Sequence, residues 1–226
     1  MTCPIPPNEA ARLAALHNYH ILDSESEQSY DDITKLVSII CETPMSTLSL
    51  VDANRQWFKS KVGISDAETP REVAFCAHTI CQPDLLMVED ATQDERFRTS
   101  PLVTDNPGVR FYAGMPLVTP EGYGIGALCA IDTKPRRLND TQLAALAALS
   151  RVVMTQLELR RVSAELASAL KNVRTLTALL PICSYCKRIR SDAGYWSEVD
   201  KYMSAHAATQ FKQCICPDCV KKHFGG

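Results

Sequence analysis

Four cysteines towards the carboxyl end of the sequence stand in two closely spaced pairs. Two residues separate Cys183 from Cys186, two separate Cys216 from Cys219, and 29 residues lie between the pairs. Thiolates at this spacing hold one metal ion in a tight turn, and two such turns complete a tetrahedron. The pattern therefore predicts one structural Zn²⁺ with four sulfur ligands, and it discriminates only weakly against iron.

Three further residues could replace one of these ligands, namely Cys214, His206 and His223. Cys214 precedes Cys216 by two residues, so their side chains share a face wherever the segment is extended. A redox dithiol would need only one Cys-x-x-Cys, and reduced buried thiols would not produce two in so short a stretch. Because a segment of about 45 residues cannot close a large core alone, we expect the metal to stabilise it.

Two segments in the middle of the chain alternate in polarity as β-strands do. In residues 109–118 one face is predicted to carry Val109, Phe111, Ala113, Met115 and Leu117. The opposite face would carry Arg110, Tyr112 and Gly114. In residues 123–132 one face is predicted to carry Tyr123, Ile125, Ala127, Cys129 and Ile131. A Pro-Glu-Gly turn joins the two segments, so we expect an antiparallel hairpin.

The face that carries Arg110 and Tyr112 is predicted to line a ligand pocket, because the bulky apolar face should pack against helices. A cation, a phenol and small residues suit an anionic or polar ligand. Alternatively, Arg110 pairs with a structural carboxylate such as Asp90. Cys76 and His78 are further pocket candidates, but residues i and i+2 do not share a helix face. A buried thiol can also be only a small apolar side chain.

Helical and strand patterns surround these candidates. Apolar spacing predicts helices over about 8–19 and 28–42 and a short one over 73–81, with strands over 46–52, 57–62 and 85–88. Asn139 and Gln142 resemble a capping box that opens a long helix, since no Pro or Gly occurs from residue 140 to 180. The fold class is therefore α+β, with a mostly antiparallel sheet.

The long helix carries a heptad seam. Apolar residues alternate at three- and four-residue spacing: Leu159, Val162, Leu166, Ala169, Val173, Leu176 and Leu180. One helix packed on its own domain is the alternative. We favour a two-chain coiled coil over residues 159–181, and therefore a homodimer.

Five stretches of the sequence resemble GAF domains of bacterial signalling proteins: residues 73–80, 87–92, 94–97, 109–117 and 127–132. The resemblance covers about residues 8–158. It implies a GAF-like sheet flanked by helices, with a small-molecule pocket on one sheet face. We therefore divide the chain into a sensor domain (1–158), a signalling helix (159–181) and a zinc module (182–226).

The last segment resembles a short cysteine-rich tail found on bacterial receiver, PAS and GAF proteins. The resemblance rests on residues 179–190, 194–196 and 215–219. The position of Cys214 usually looks like Gly in such tails, so Cys214 departs from the pattern.

The composition narrows the functional classes. The 226 residues carry a net charge of −2, and apolar runs are far shorter than the ~20 residues of a membrane helix. We find no secretory leader, so we expect a cytoplasmic protein without membrane contact. Residues 182–226 carry seven Lys and Arg and four Asp and Glu. Four thiolates with Zn²⁺ would reduce this excess to about +1, which makes nucleic acid an improbable partner.

We therefore expect a signal-transduction protein without enzymatic activity. Its GAF domain would sense a small molecule or a redox signal, and the dimeric helix would relay it to a zinc module that binds a protein partner. The alternative is a thiol redox enzyme. Some GAF-like proteins reduce free methionine sulfoxide through pocket cysteines, and Cys76 with Cys129 could act in this way. A third hypothesis is a zinc-ribbon regulator of nucleic acid.

Overall fold

The computed structural model describes residues 4–106, 108–177, 182–190, 194–199 and 201–202. The chain divides into two compact units, Met1–Glu165 and Leu166–Gly226, and each is described by itself. The first unit extends beyond residue 158, where the sequence analysis ended the sensor domain. Arg160 accounts for part of this extension, because its Nη1 donates to Glu27 Oε1 at 2.6 Å.

Helices precede the strands of the first unit, lie between them and follow them. The described helices are α1 (Glu9–Asn18), α2 (Gln28–Cys41), α3 (Phe75–Thr79), α4 (Pro101–Thr104) and the long α5 (Asp140–Thr177). The strands of the first unit are β1 (Met45–Val51), β2 (Arg55–Val62), β3 (Glu68–Pro70), β4 (Leu86–Val88), β5 (Phe111–Val118) and β6 (Gly124–Asp132). The second unit contains the short strands β7 (Ile189–Arg190) and β8 (Trp196–Ser197).

The six strands of the first unit form one sheet in the order β3-β2-β1-β6-β5-β4. Every neighbouring pair is antiparallel. The predicted hairpin is present as β5 and β6, and β6 also pairs with β1 at the centre of the sheet. The antiparallel α+β architecture predicted from the sequence is confirmed.

One face of the sheet packs against α1, α2 and α5. Its side chains are apolar and closely packed, and we call this cluster the first core. Representative members are Leu16, Val37, Leu48, Phe111, Leu128, Leu146 and Val153. All seven are at most 1% exposed, so their burial contributes to the apolar stabilisation of the domain.

The other face of the sheet packs against α3 and the segment that follows β4. This second core contains Phe75, Cys76, Phe97, Tyr112, Ala127 and Cys129. The face also carries hydroxyl, thiol and imidazole groups. Both faces of the central strands are therefore buried, and consecutive residues of β6 serve different cores.

The predicted alternation along the hairpin is wrong at two places. Ile125 packs in the first core, whereas Ala127 and Cys129 pack in the second. The pairing shifts between Leu117 and Val118, so that β6 has one extra residue there and its side chains change faces. Val109 precedes β5 and packs against the second core, not beside Phe111.

The long helix α5 begins with the predicted capping box. The backbone N–H of Gln142 donates to Asn139 Oδ1 at 2.9 Å, and the backbone N–H of Asn139 donates to Gln142 Oε1 at 3.1 Å. Among the described residues, no helix combines the length and the apolar character needed to cross a membrane.

The predicted seam begins on the solvent-exposed side of α5. Leu159, Val162 and Leu166 are 66%, 49% and 59% exposed. The side chains of Val173 and Leu176, and all of Leu180, lie outside the described residues.

Candidate functional site

Cys76, Cys129 and Tyr112 meet on the second face of the sheet, and we call them the sulfur–tyrosine cluster. The two sulfur atoms lie 3.4 Å apart. The Tyr112 hydroxyl lies 3.4 Å from the Cys76 sulfur and 3.3 Å from the Cys129 sulfur. All three residues are at most 2% exposed. Among the six residues that the sequence analysis assigned to a ligand site, these three come together.

Three elements position the members of this cluster. Cys129 lies in the middle of β6, opposite Thr47 on β1 and Gly114 on β5. A Cβ atom at Gly114 would lie 2.1 Å from the hydroxyl oxygen of Tyr112. Glycine at this position therefore gives the Tyr112 ring the space to lie along β5 towards the sulfur atoms. Cys76 approaches from α3, which covers the strands at this point.

The environment makes the two thiols chemically different. The Tyr112 hydroxyl also lies 2.6 Å from Thr79 Oγ1, and burial raises the pKa of Tyr112 well above its usual value. Burial likewise raises the pKa of the Cys129 thiol. Burial opposes ionisation of Cys76 too, but hydrogen bonds from Cys129, Tyr112 and Ser49 outweigh it and lower the pKa of this thiol. Cys76 is therefore the thiol that ionises more readily.

A cavity of about 320 Å³ lies beside the cluster, and Cys76 and Tyr112 form part of its wall. It is bounded by strands β1 to β3, helix α3 and the segment around α4. Apolar side chains line much of it, including Met45, Phe58, Ile64, Phe75, Leu102 and Ile131. The volume lies at the lower end of the range for small-molecule sites.

Two polar atoms in the cavity wall have no hydrogen-bond partner within the part of the chain that the structure describes. Gln56 Oε1 and Thr69 Oγ1 are both buried, and the two residues are paired across β2 and β3. Gln56 is only 6% exposed. Because buried polar atoms are normally hydrogen-bonded, these two atoms indicate a partner from outside the described residues.

Charge in the cavity wall differs from the expectation based on Arg110. Asp66 and Asp105 are exposed residues of the wall, and none of its described residues is a cation. Arg110 precedes β5, and its Nη1 donates to the backbone carbonyls of Val103 at 2.8 Å and Val109 at 3.1 Å. These bonds hold the loop after α4, so the charge of Arg110 serves that loop. Because the described wall carries two carboxylates and no cation, the cavity favours a neutral or cationic ligand.

His78 and Asp90 lie apart from the sulfur–tyrosine cluster. His78 follows Cys76 by two residues on helix α3. The i, i+2 argument predicted that their side chains would not share a face, and the His78 ring packs edge-on against Phe97 with centroids 4.7 Å apart. Burial lowers the pKa of His78, and the charge of Arg96 lowers it further. Asp90 Oδ1 accepts hydrogen bonds from the backbone N–H and hydroxyl of Thr92, at 3.0 and 2.7 Å.

The model of the GAF domain family matches residues 25–157, which is more than half of the sequence. The chain belongs to the GAF domain family. This confirms the resemblance that the sequence motifs indicated. A cyclic di-GMP phosphodiesterase of Pseudomonas aeruginosa is 37% identical over 161 residues, which are 71% of this chain and 27% of that protein. The chain therefore spans about a quarter of the length of this curated relative.

Solved GAF structures share the fold at low sequence identity. The GAF domain of a phosphoenolpyruvate-protein phosphotransferase from Coxiella burnetii has a TM-score of 0.53 at 11% identity, covering 70% of this chain and 97% of that one. A free methionine-R-sulfoxide reductase from Neisseria meningitidis, solved with its substrate, has a TM-score of 0.50 at 14% identity. It covers 72% of this chain and 98% of that one. These matches show the GAF fold alone.

The described half of the predicted zinc site lies after the GAF domain. Cys183 and Cys186 flank a turn in which the backbone N–H of Lys187 donates to Cys183 O at 3.0 Å. The backbone N–H groups of Cys186 and Tyr185 donate to the Cys183 sulfur and lower the pKa of this thiol. Such donors stabilise a metal-bound thiolate, so the turn fits a Zn²⁺ ligand pair.

The remaining proposed ligands, Cys216 and Cys219, lie outside the described residues, as do the reserves Cys214, His206 and His223. Within the described residues, no three Cys, His, Asp or Glu side chains converge on one point.

Sequence reasoning missed Gln56 and Thr69 as candidate ligand contacts of the GAF domain. The apolar pattern places Gln56 in the connection before β2, whereas β2 begins at Arg55. Thr69 lies on β3, a strand of three residues that is too short for an alternation signal. The sequence signal that could have identified Gln56 is a polar residue directly before the apolar Trp57 and Phe58.

Proposed function

We propose that this chain is a cytoplasmic signal-transduction protein whose GAF domain binds a small molecule in the cavity beside Cys76 and Tyr112. The observation that carries this proposal is the pair of unpartnered acceptors, Gln56 Oε1 and Thr69 Oγ1, inside a largely apolar cavity. A ligand with an apolar body and hydrogen-bond donors would satisfy both atoms. The carboxylates of Asp66 and Asp105 would favour a neutral or positively charged donor group.

Analysis of the small molecules that the purified full chain retains tests this proposal. The protein is unfolded after gel filtration, and the released molecules are identified by mass spectrometry. Thr69→Val keeps the shape of the side chain and removes its hydroxyl, so the retained amount should fall about tenfold. Thr104→Val, at an exposed residue of α4 that does not line the cavity, is the control. Equal retention by both variants, or no retained molecule in the wild type, would contradict the proposal.

The signal would be relayed by a second copy of the chain. Leu159, Val162 and Leu166 are exposed and follow heptad spacing, which supports a parallel pairing of α5 helices. Leu166→Asp should convert a dimer into a monomer in light scattering. Ala164→Asp places the same charge at an outward heptad position and should leave the dimer intact. A monomeric wild type would rule out this part of the proposal.

The segment after α5 would be a zinc module that contacts a protein partner. Cys183, Cys186, Cys216 and Cys219 would hold one Zn²⁺, whose role with four thiolates would be structural. Elemental analysis of the full chain should show about one zinc per chain, lost in Cys216→Ser and retained in Cys214→Ser. The opposite pattern would make Cys214 the fourth ligand.

Exposed aromatic side chains support partner binding by this module. Tyr185, Tyr195 and Trp196 are 96%, 77% and 51% exposed, and such residues are enriched at protein interfaces. Cross-linking of the full chain in cells should give partner peptides joined to residues 182–202. The variant Tyr185→Ser should lose these cross-links and retain its zinc. Loss of both would indicate a structural role for Tyr185.

A second candidate function is reduction of free methionine sulfoxide. The observation that favours it is the sulfur pair of Cys76 and Cys129, 3.4 Å apart beside a cavity. In such a reaction two thiols become a disulfide and the sulfoxide oxygen leaves as water. An assay of free methionine-R-sulfoxide with dithiothreitol as reductant tests it. Turnover that is lost in Cys76→Ser would support the enzyme, and its absence would favour the sensor.

A further inference from the structure

We propose that Cys76 and Cys129 are a reversible redox switch, in which a peroxide oxidises Cys76 and Cys129 then closes a disulfide between α3 and β6. The inference rests on the proposed sensor function and names an oxidant as one of its signals. Such a switch requires two thiols close enough to form a bond and access of the oxidant to one of them. It also requires packing contacts that connect the pair to the rest of the domain.

The geometry brings the pair close to bonding distance. The sulfur atoms are 3.4 Å apart, and a disulfide bond is about 2.05 Å long. The two residues lie 53 positions apart in the sequence, on a helix and on a central strand. A bond between them would therefore add a covalent link between two elements that side-chain contacts hold together.

Access to the pair is one-sided. Cys76 forms part of the cavity wall, whereas Cys129 is 0% exposed and is not among the described residues of that wall. A small oxidant that enters the cavity meets Cys76 first. The hydrogen bond that the Tyr112 hydroxyl donates to the Cys76 sulfur favours its thiolate, which is the form that attacks peroxide.

The chemistry proceeds in two steps. The Cys76 thiolate attacks one peroxide oxygen, the O–O bond breaks, and the departing hydroxide takes up the thiol proton to become water. The Cys129 sulfur then attacks the sulfenic sulfur of Cys76, and the hydroxyl group leaves as a second water with the proton of the Cys129 thiol. Two thiols lose two electrons and two protons, and one peroxide becomes two waters.

The position of Cys129 gives the switch a route to α5. Its neighbours Leu128 and Ala130 point to the opposite face and belong to the first core, together with Leu146 and Val153 of α5. Bond formation brings the two sulfur atoms more than 1 Å closer together, and we expect α3 or β6 to adjust to it. Since closely packed cores transmit such shifts, movement of β6 would change the packing of α5.

Peptide mapping of the full chain tests the switch. Reduced protein is exposed to hydrogen peroxide, free thiols are alkylated, and digested peptides are analysed by mass spectrometry. Most chains should then contain a Cys76–Cys129 linkage that dithiothreitol reverses. Fragment spectra separate Cys76 from the nearby Cys81. Cys41→Ser, which removes a buried thiol of the first core, should leave the linkage unchanged.

The resolving role of Cys129 is tested separately. In Cys129→Ser, or in Cys129→Ala if the serine variant does not fold, dimedone should trap a sulfenic acid on Cys76. Hydrogen exchange of residues 141–157 should differ between oxidised and reduced wild type and not in the variant. A wild type in which both thiols remain free, or in which Cys76 is overoxidised without a linkage, would overturn the proposal.

Linkage with unchanged exchange of residues 141–157 would overturn the proposed route to α5. The redox readouts do not depend on a retained small molecule. Failure of the switch and failure of the ligand proposal are therefore distinguishable.

Discussion

The two faces of the same sheet are built for different purposes. The first core is filled by apolar side chains from α1, α2 and α5. The second face has a cavity, two thiols that contact a buried phenol, and acceptors at Gln56 and Thr69 that lack a partner in the described chain. Groups of this kind reduce stability unless something binds them. The difference indicates that the first face maintains the fold and that the second face is available for function.

The contrast is sharpest along β6, where adjacent residues serve opposite faces. Leu128 is buried in the first core, and Cys129 is buried in the second. Both residues are 0% exposed. Exposure alone therefore does not distinguish a structural position from a functional one, and only the chemistry of the surroundings does.

The largest expected effect is at Leu128. Leu128→Ala should lower the free energy of unfolding by about 3 kcal/mol, because it leaves a void in a closely packed core. Cys129→Ala should lower it by about 1 kcal/mol, since one sulfur is lost beside an existing cavity. Urea denaturation measures both values. Equal losses would show that the two faces are equally important for stability.

The next effect concerns Glu9 on α1, which pairs with Arg12 of the same helix and with Arg71. Its carboxylate accepts hydrogen bonds from Arg12 at 2.7 and 2.9 Å and from Arg71 at 2.5 Å. Burial alone would raise the pKa of Glu9, but the two arginines outweigh it and lower the pKa to about 2. Glu9→Gln should therefore destabilise the domain by about 3 kcal/mol at pH 7.

This contribution of Glu9 should depend on pH. The folded pKa lies below the unfolded one, so the folded state binds fewer protons in acid. The stabilisation is complete above about pH 5 and is lost as the pH falls towards 2. Unfolding measured between these limits should show a smaller slope in Glu9→Gln than in the wild type. An exposed control, Glu72→Gln, should change the free energy of unfolding at pH 7 by less than about 0.5 kcal/mol, and a loss as large as that of Glu9→Gln would contradict the assignment.

A smaller effect is expected at Gly114, on the functional face. Gly114→Ala would place Cβ 2.1 Å from the Tyr112 hydroxyl, so the ring must move away from the sulfur atoms. We expect a loss of about 2 kcal/mol from overpacking. Tyr112→Phe removes the closest atom, so the double variant should lose less than the sum of the two single losses. Strict additivity in urea denaturation would disprove the contact.

The sequence predicted the architecture better than the site. Strong periodicity identified α2, the hairpin and the start of α5, because burial on one face imposes a regular pattern. The pattern failed at Ile125, since an extra residue in β6 reverses the faces and leaves no signal in composition. Cys76 and Cys129 were each identified as candidates, but their contact depends on the packing of α3, which local spacing does not encode.

Arg110 shows the opposite limitation. Its charge and its place in the alternation indicated a ligand contact, whereas the structure uses its guanidinium to hold two backbone carbonyls. Gln56 was overlooked because an isolated polar residue near a turn has many ordinary explanations. A missing hydrogen-bond partner becomes visible only once the neighbours are placed.

The most direct test of the functional face is the stability of Gln56→Leu relative to the wild type, each stripped of small molecules by unfolding and refolding. Leucine removes an acceptor that has no partner in the described chain, so the ligand-free variant should gain about 1 kcal/mol in the free energy of unfolding. In Gln142→Leu, the matched control, the lost amide donates to Ile40 O at 3.0 Å, and stability should fall. A fall of similar size in Gln56→Leu would contradict the account, because Gln56 would then serve the fold and not a ligand.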